Sequence, residues 1–154
     1  ALVIGLLTKQ LAVVAVFTLS FMVLRSYTGG YHSDSRIFCY LGSNLVLLVP
    51  VYTQAVFYKT SLAWLLAVLL VSAGIIFLLS PMHSKNRKLD KEEQKHFGRK
   101  ARLIAALELA VLGILWHAGQ IPYAYAVYTG ICITALFMLV GKAQLWIQSH
   151  TENG

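Results

Sequence analysis

The sequence predicts an all-α fold, a polytopic integral membrane helical bundle of about five to six transmembrane helices with the first one truncated. Three observations carry this expectation. Hydrophobic residues make up 58% of the 154 residues and charged residues 12%, against about 45–50% and about 25% in soluble domains. Mean hydropathy is +0.67. Apolar runs close to the roughly 20 residues that a bilayer requires alternate with short polar breaks along the whole chain. The length leaves room for a single transmembrane domain over residues 1–154 and for no separate soluble one.

Taken in order, Ala1–Leu7 is apolar, Thr8-Lys9-Gln10 interrupts, and Leu11–Leu24 resumes. This reads as a helical hairpin whose first arm is the truncated span, not a signal peptide, since no cleavage-like pattern follows. The second arm is short for a bilayer and is expected to extend past Arg25, whose long side chain can reach the interface while its stem stays apolar. Ile37–Phe57 has span length and carries Asn44, Pro50 and Gln54 as inward-facing or kinking positions. Lys59-Thr60-Ser61 turns the chain into Leu62–Leu79, which Pro81 closes.

Residues 81–102 break the pattern. Eight Lys and Arg (Lys85, Arg87, Lys88, Lys91, Lys95, Arg99, Lys100, Arg102) stand against Asp90, Glu92 and Glu93, a surplus of five out of the chain's formal +7. The segment reads as a basic cytoplasmic loop by the positive-inside rule, with Lys88–Lys100 as a weakly amphipathic surface helix anchored by Leu89 and Phe97. Leu103–His117 and Pro122–Val140 then form a last hairpin with its tip at Gly119-Gln120. Two spans separate the basic loop from Arg25 and Arg36, so all three fall on the cytoplasmic side of a multi-pass protein of the cell membrane.

Chemistry concentrates in the polar stretch 25–39, where His32 and Cys39 supply a thiol with a base. On one continuous helix the two would lie about 10 Å apart along the axis, too far for a hydrogen bond. The pair therefore requires His32 to fold back over the first turns of a following helix. Gly29 and Gly30 permit that bend, and Ser33, Asp34 and Ser35 offer helix N-caps. Cys39 then sits in the first or second turn, where the helix dipole and Arg36, one turn earlier, favour thiolate over thiol. The plain alternative is a Cys serving as a small buried hydrophobe and a solvated loop His.

The pattern Arg25-x3-Gly29-Gly30-x-His32-x6-Cys39 at the mouth of a polytopic membrane protein resembles the signature of the accessory gene regulator protein B (AgrB) family. The resemblance extends more loosely through the following helices and the basic loop. It implies a membrane cysteine endopeptidase of Gram-positive quorum sensing that processes the precursor of a cyclic autoinducing peptide. It gives His32 and Cys39 the catalytic dyad, and Arg25 and Gly30, with Gly29 and Arg36 beside them, supporting positions. The implied partner is a peptide precursor (an AgrD-like propeptide) held at membrane lipid, whose acidic C-terminal part the basic loop would receive through Lys85, Arg87, Lys88, Lys91 and Lys95. Family members usually begin with a further N-terminal segment. No cofactor is implied, and a homodimer is left open.

Other features point elsewhere or nowhere. Zinc and serine protease motifs are absent from the sequence. Cys39 and Cys132 lie in different runs without framework spacing, so neither a disulfide nor a metal site is expected, and Cys132 reads as packing. Nucleic-acid binding is not expected of a short basic loop with almost no aromatic residues. Glu108 is the one acidic residue deep in a span, costly there unless protonated, paired or facing water. It carries the alternative reading, a small transporter or channel with Glu108 as ion-coupling carboxylate, against a simple buried hydrogen bond. Trp116, Tyr123, Tyr125, Tyr128 and Trp146 read as interfacial belt residues.

Overall fold

The computed structural model describes residues 10–28, 46–80 and 91–151, with the backbone alone for 91–95, 145 and 148–151. Every element among them is helical: α1 Leu11–Thr28, a helical stretch 46–52 leading into α2 Gln54–Lys59, α3 Leu62–Leu79, α4 Lys91–His117 and α5 Ile121–Thr151. Three helices are long and apolar enough to cross a membrane, namely Leu11–Thr28, Leu62–Leu79 and Ile121–Gln144. The protein is an all-α membrane helical protein.

The bundle is built around α5. Two-thirds (67%) of its apolar window is buried, against 39% for α1 and 11% for α3. Ala124, Val127, Ile131, Ala135 and Met138 face Leu24 of α1, Ile76 of α3, and Ala105 and Leu112 of α4. A second layer joins Val13, Phe17 and Phe21 of α1 to Ala126 and Ile133. Small residues on α5 are what let neighbouring backbones come near, as bilayer packing requires when apolar side chains gain nothing by leaving lipid. The outer faces stay apolar, with Leu19, Met22, Leu70, Val71 and Leu78 all more than 60% exposed. That is the surface of a helix set in lipid.

Several boundaries follow from local chemistry. α1 continues past Arg25 to Thr28, as expected. α3 spans Leu62–Leu79 between the extended residues Ser61 and Ser80. α4 ends in a Schellman turn: Gly119 takes φ 72°, its N–H bonds Trp116 O at 3.1 Å, and the Gln120 N–H bonds Leu115 O at 2.9 Å. Pro122 sits in the first turn of α5, where its missing N–H costs nothing.

Three boundaries differ from the sequence reading. The run read as one span over Ile37–Phe57 bends at Thr53, three residues after Pro50. The Thr53 hydroxyl bonds Val49 O at 2.7 Å, a back-bond that bends helices. Within the basic segment, residues 91–100 are helical, as the surface-helix reading of Lys88–Lys100 expects, but the helix is continuous with Leu103–His117 instead of separate from it. α5 runs eleven residues beyond Val140, so Lys142 and most of the polar tail are helical. Ala1–Lys9 of the first arm lies outside the described residues.

Candidate functional site

The helices sort into two ends. At one end, Phe57 stacks near Trp116, Tyr125 and Tyr128, with centroids 6.2, 4.8 and 5.3 Å away. This places the turn at Thr60-Ser61 beside the turn at Gly119, next to the start of α5. At the other end, Tyr27 meets Phe97 at 6.5 Å, which joins the C-terminus of α1 to the N-terminal part of α4. The Arg102 Nε–H donates to Phe77 O at 3.1 Å, which joins α4 to the C-terminus of α3. Phe77 O is one of the last carbonyls of that helix, a place where a cation is favoured. Residue 29 follows Thr28 and residue 81 follows Ser80, so both polar segments singled out in the sequence begin at this same end of the bundle.

Arg25 sits at this end on the last turn of α1. Its guanidinium carbon lies 4.7 Å from the Phe137 ring centroid and 5.6 Å from that of Phe21, within the range of cation–π attraction. The contact ties α1 to α5 just before Thr28, which is completely buried. His32 and Cys39 lie outside the described residues, as do Gly29, Gly30, Arg36, Lys85, Arg87 and Lys88. Lys91 and Lys95 fall in the first turns of α4, and Arg99 and Lys100 are exposed further along it. Backbone placement thus brings Arg25 and the helical part of the basic segment to one end of the bundle.

Midway along the bundle is a contact that sequence reasoning missed. The Ser20 hydroxyl on α1 donates to Glu108 Oε2 on α4 at 2.9 Å, so the Glu108 carboxyl has a hydrogen-bond partner 88 residues away. Ser20 is buried against Gly130 of α5, where an added Cβ would lie 2.7 Å from Ser20 Oγ and 3.3 Å from Ser20 Cβ. The acidic residue was legible; its partner was not, since neither Ser20 nor Gly130 stands out from other small residues in apolar runs.

Two further polar groups of α5 have partners on neighbouring helices. Thr53 and Tyr125 share a hydrogen bond, and Tyr125 is 2% exposed, so it belongs to the interior and not to the interfacial belt. Cys132 is a free thiol beside Ser72 and Tyr128. A cavity of about 330 Å³ opens between α3, α4 and α5, lined by Phe57, Leu65, Leu69, Leu112, Trp116 and Tyr128 among others. It is apolar and lies far from Arg25. Among the described residues no three His, Cys, Asp or Glu side chains come together to hold a metal ion.

Comparison with known proteins gives the same family that the sequence resembles. The chain is 26% identical over 121 residues to the accessory gene regulator protein B of Staphylococcus intermedius, covering 79% of this chain and 62% of that protein. It thus spans less than two-thirds of the relative's length. No solved structure matches. A family model, Accessory gene regulator B, matches residues 1–139. With nine-tenths of its length matched, the chain belongs to the accessory gene regulator B family.

Proposed function

We propose that this protein is a membrane-embedded cysteine endopeptidase that cleaves an autoinducer peptide precursor and promotes its cyclisation. Family membership supports a role in the accessory gene regulator system of quorum sensing. The finer reading rests on His32 and Cys39. His32 takes the proton of Cys39 Sγ, and the thiolate adds to the carbonyl carbon of a peptide bond near the C-terminal side of the precursor. The C–N bond breaks, the imidazolium returns its proton to the leaving amine, and a thioester on Cys39 remains. A thiol or hydroxyl within the acylated peptide then attacks the thioester, closing a thiolactone or lactone ring and freeing Cys39. A thioester keeps enough acyl-transfer energy for this step provided water is kept away, which a membrane-set site favours.

One observation carries the reading: the chain leaves α1 into residues 29–39 and leaves α3 into residues 81–90 at the same end of the bundle, beside Arg25 and the basic start of α4. A substrate whose acidic tail lies on the basic segment would have its scissile bond within reach of the stretch that begins at Arg25. The positive-inside rule assigns that end to the cytoplasm. The hydrogen bond from Ser20 gives Glu108 a structural partner, which supports the plain buried-hydrogen-bond reading of that residue.

Co-expression with a precursor, followed by mass spectrometry of the peptide products, tests the proposal. Cys39→Ala and His32→Ala should each abolish the truncated product while protein level and insertion stay normal, because a thiol-to-methyl change is small in volume. Normal processing by Cys39→Ala would exclude the assigned nucleophile.

A further inference from the structure

We infer that Ser20, Glu108 and Gly130 form a mid-bundle lock that fixes the height and rotation of α1, and so the point at which Thr28 hands the chain on to His32 and Cys39. The inference rests on the reading that those two residues are catalytic. In it Ser20 and Glu108 are positioning residues.

The three residues stand at one level. Ser20 lies nine residues after Leu11, Gly130 nine after Ile121 and Glu108 nine before His117, each about 13–14 Å from the same end of the bundle at 1.5 Å per residue. Of the other buried residues of α1, Val13, Val14, Phe17, Phe21 and Leu24 are apolar side chains that lipid solvates equally well, so they hold α1 against α5 without choosing one register strongly, while the polar Thr28 is buried at the end of the helix. Gly130 does choose. Its neighbour across the interface is Ser20, close enough that even a methyl group at position 130 would lie 3.3 Å from Ser20 Cβ. Sliding α1 by a turn, about 5.4 Å, would bring Phe17 or Leu24 toward that point and leave the Glu108 carboxyl without its hydroxyl donor. A buried carboxyl without a partner is costly in a bilayer, so contact and hydrogen bond select the same register. Thr28 lies eight residues further along the same helix, and Arg25 over Phe137 secures the part between. Whatever shifts Ser20 therefore shifts Thr28, and a displacement of about 1 Å at a reacting group can cost about 100-fold in rate.

Two readouts in reconstituted protein separate the lock from the dyad: precursor processing, and the rate of Cys39 alkylation by iodoacetamide at neutral pH, resolved from Cys132 by peptide mass spectrometry. The dyad is tested first by His32→Ala. A Cys39 rate unchanged by His32→Ala removes the catalytic reading itself, and the lock with it. Given a rate that falls at least tenfold on His32→Ala, the lock predicts that Glu108→Leu and Gly130→Ala drop Cys39 alkylation toward the His32→Ala value and cut processing at least tenfold in protein that is folded and inserted. Glu108→Gln, which still accepts the Ser20 hydrogen bond, should stay within about threefold of normal. The lock is overturned if folded Glu108→Leu and Gly130→Ala keep the normal Cys39 rate, if they lose only melting temperature, or if Glu108→Gln is as defective as Glu108→Leu.

Discussion

Thr53 serves the bend before α2 in two ways, bonding Val49 O within its own helix and Tyr125 across to α5. Interhelical hydrogen bonds within bilayers are worth about 0.6 kcal/mol on average and up to about 1.7. Thr53→Val and Tyr125→Phe should each destabilise the protein by an amount in that range, and the double variant by little more than either one, because both remove the same bond. Unfolding in detergent micelles measures this; fully additive losses would show that the two hydroxyls act separately. Tyr125 also marks what a sequence hides. An amphipathic aromatic near a span end looks the same whether its ring faces lipid or a neighbouring helix, and only the approach of Phe57 decides that Tyr125 faces in. Glu108 is half-legible for a related reason: one carboxyl in an apolar run announces itself, while the serine that satisfies it depends on how two helices cross. The ring contact of Arg25 with Phe137 is equally a product of packing between distant helices.

Elements bounded by strong local signals were readable. α3 lies between Ser61 and Pro81, and the turn after α4 needs the positive φ that Gly119 adopts. The bend at Thr53 and the early start of α4 were less so. Lys88–Lys100 read as a separate surface helix; that this run of Lys, Glu and Gln, good helix sequence in itself, joins Leu103–His117 in one helix, with Phe97 against Tyr27, was not legible. The substrate-binding role proposed for the basic segment makes a prediction at this scale. Neutralising Lys85, Arg87, Lys88, Lys91 and Lys95 together should raise KM for precursor about tenfold or more with a smaller change in kcat, since contacts made equally in ground and transition states act on binding. No single neutralisation should exceed about fivefold, as exposed pairs contribute about 0.2–1 kcal/mol. Added salt should imitate the combined variant, because charges at a wet surface are screened over about 8–10 Å. Vesicle assays that count only correctly oriented protein decide the matter: an unchanged KM with reduced or inverted insertion would assign the charges to topology alone.

For the molecule as a whole, the two ends divide the work. One end is closed by aromatic packing around Phe57 and the tight turn at Gly119. The other gathers Arg25, the basic start of α4 and the departure points of two polar segments, with α5 as the shared axis. Such an arrangement suits acyl transfer at a membrane surface, where the peptide is gripped by charge and the acyl group is shielded from water. The central claim is that Cys39 carries the acyl group, and direct capture of that intermediate tests it. Reconstituted protein mixed with precursor whose ring-closing side chain has been replaced by Ala, acid-quenched and mapped by mass spectrometry, should yield a hydroxylamine-labile adduct on Cys39 with the mass of the N-terminal part of the precursor. The adduct should be absent in Cys39→Ala and in His32→Ala. A truncated precursor appearing without any adduct on Cys39, or an adduct found on Cys132 instead, would contradict the account.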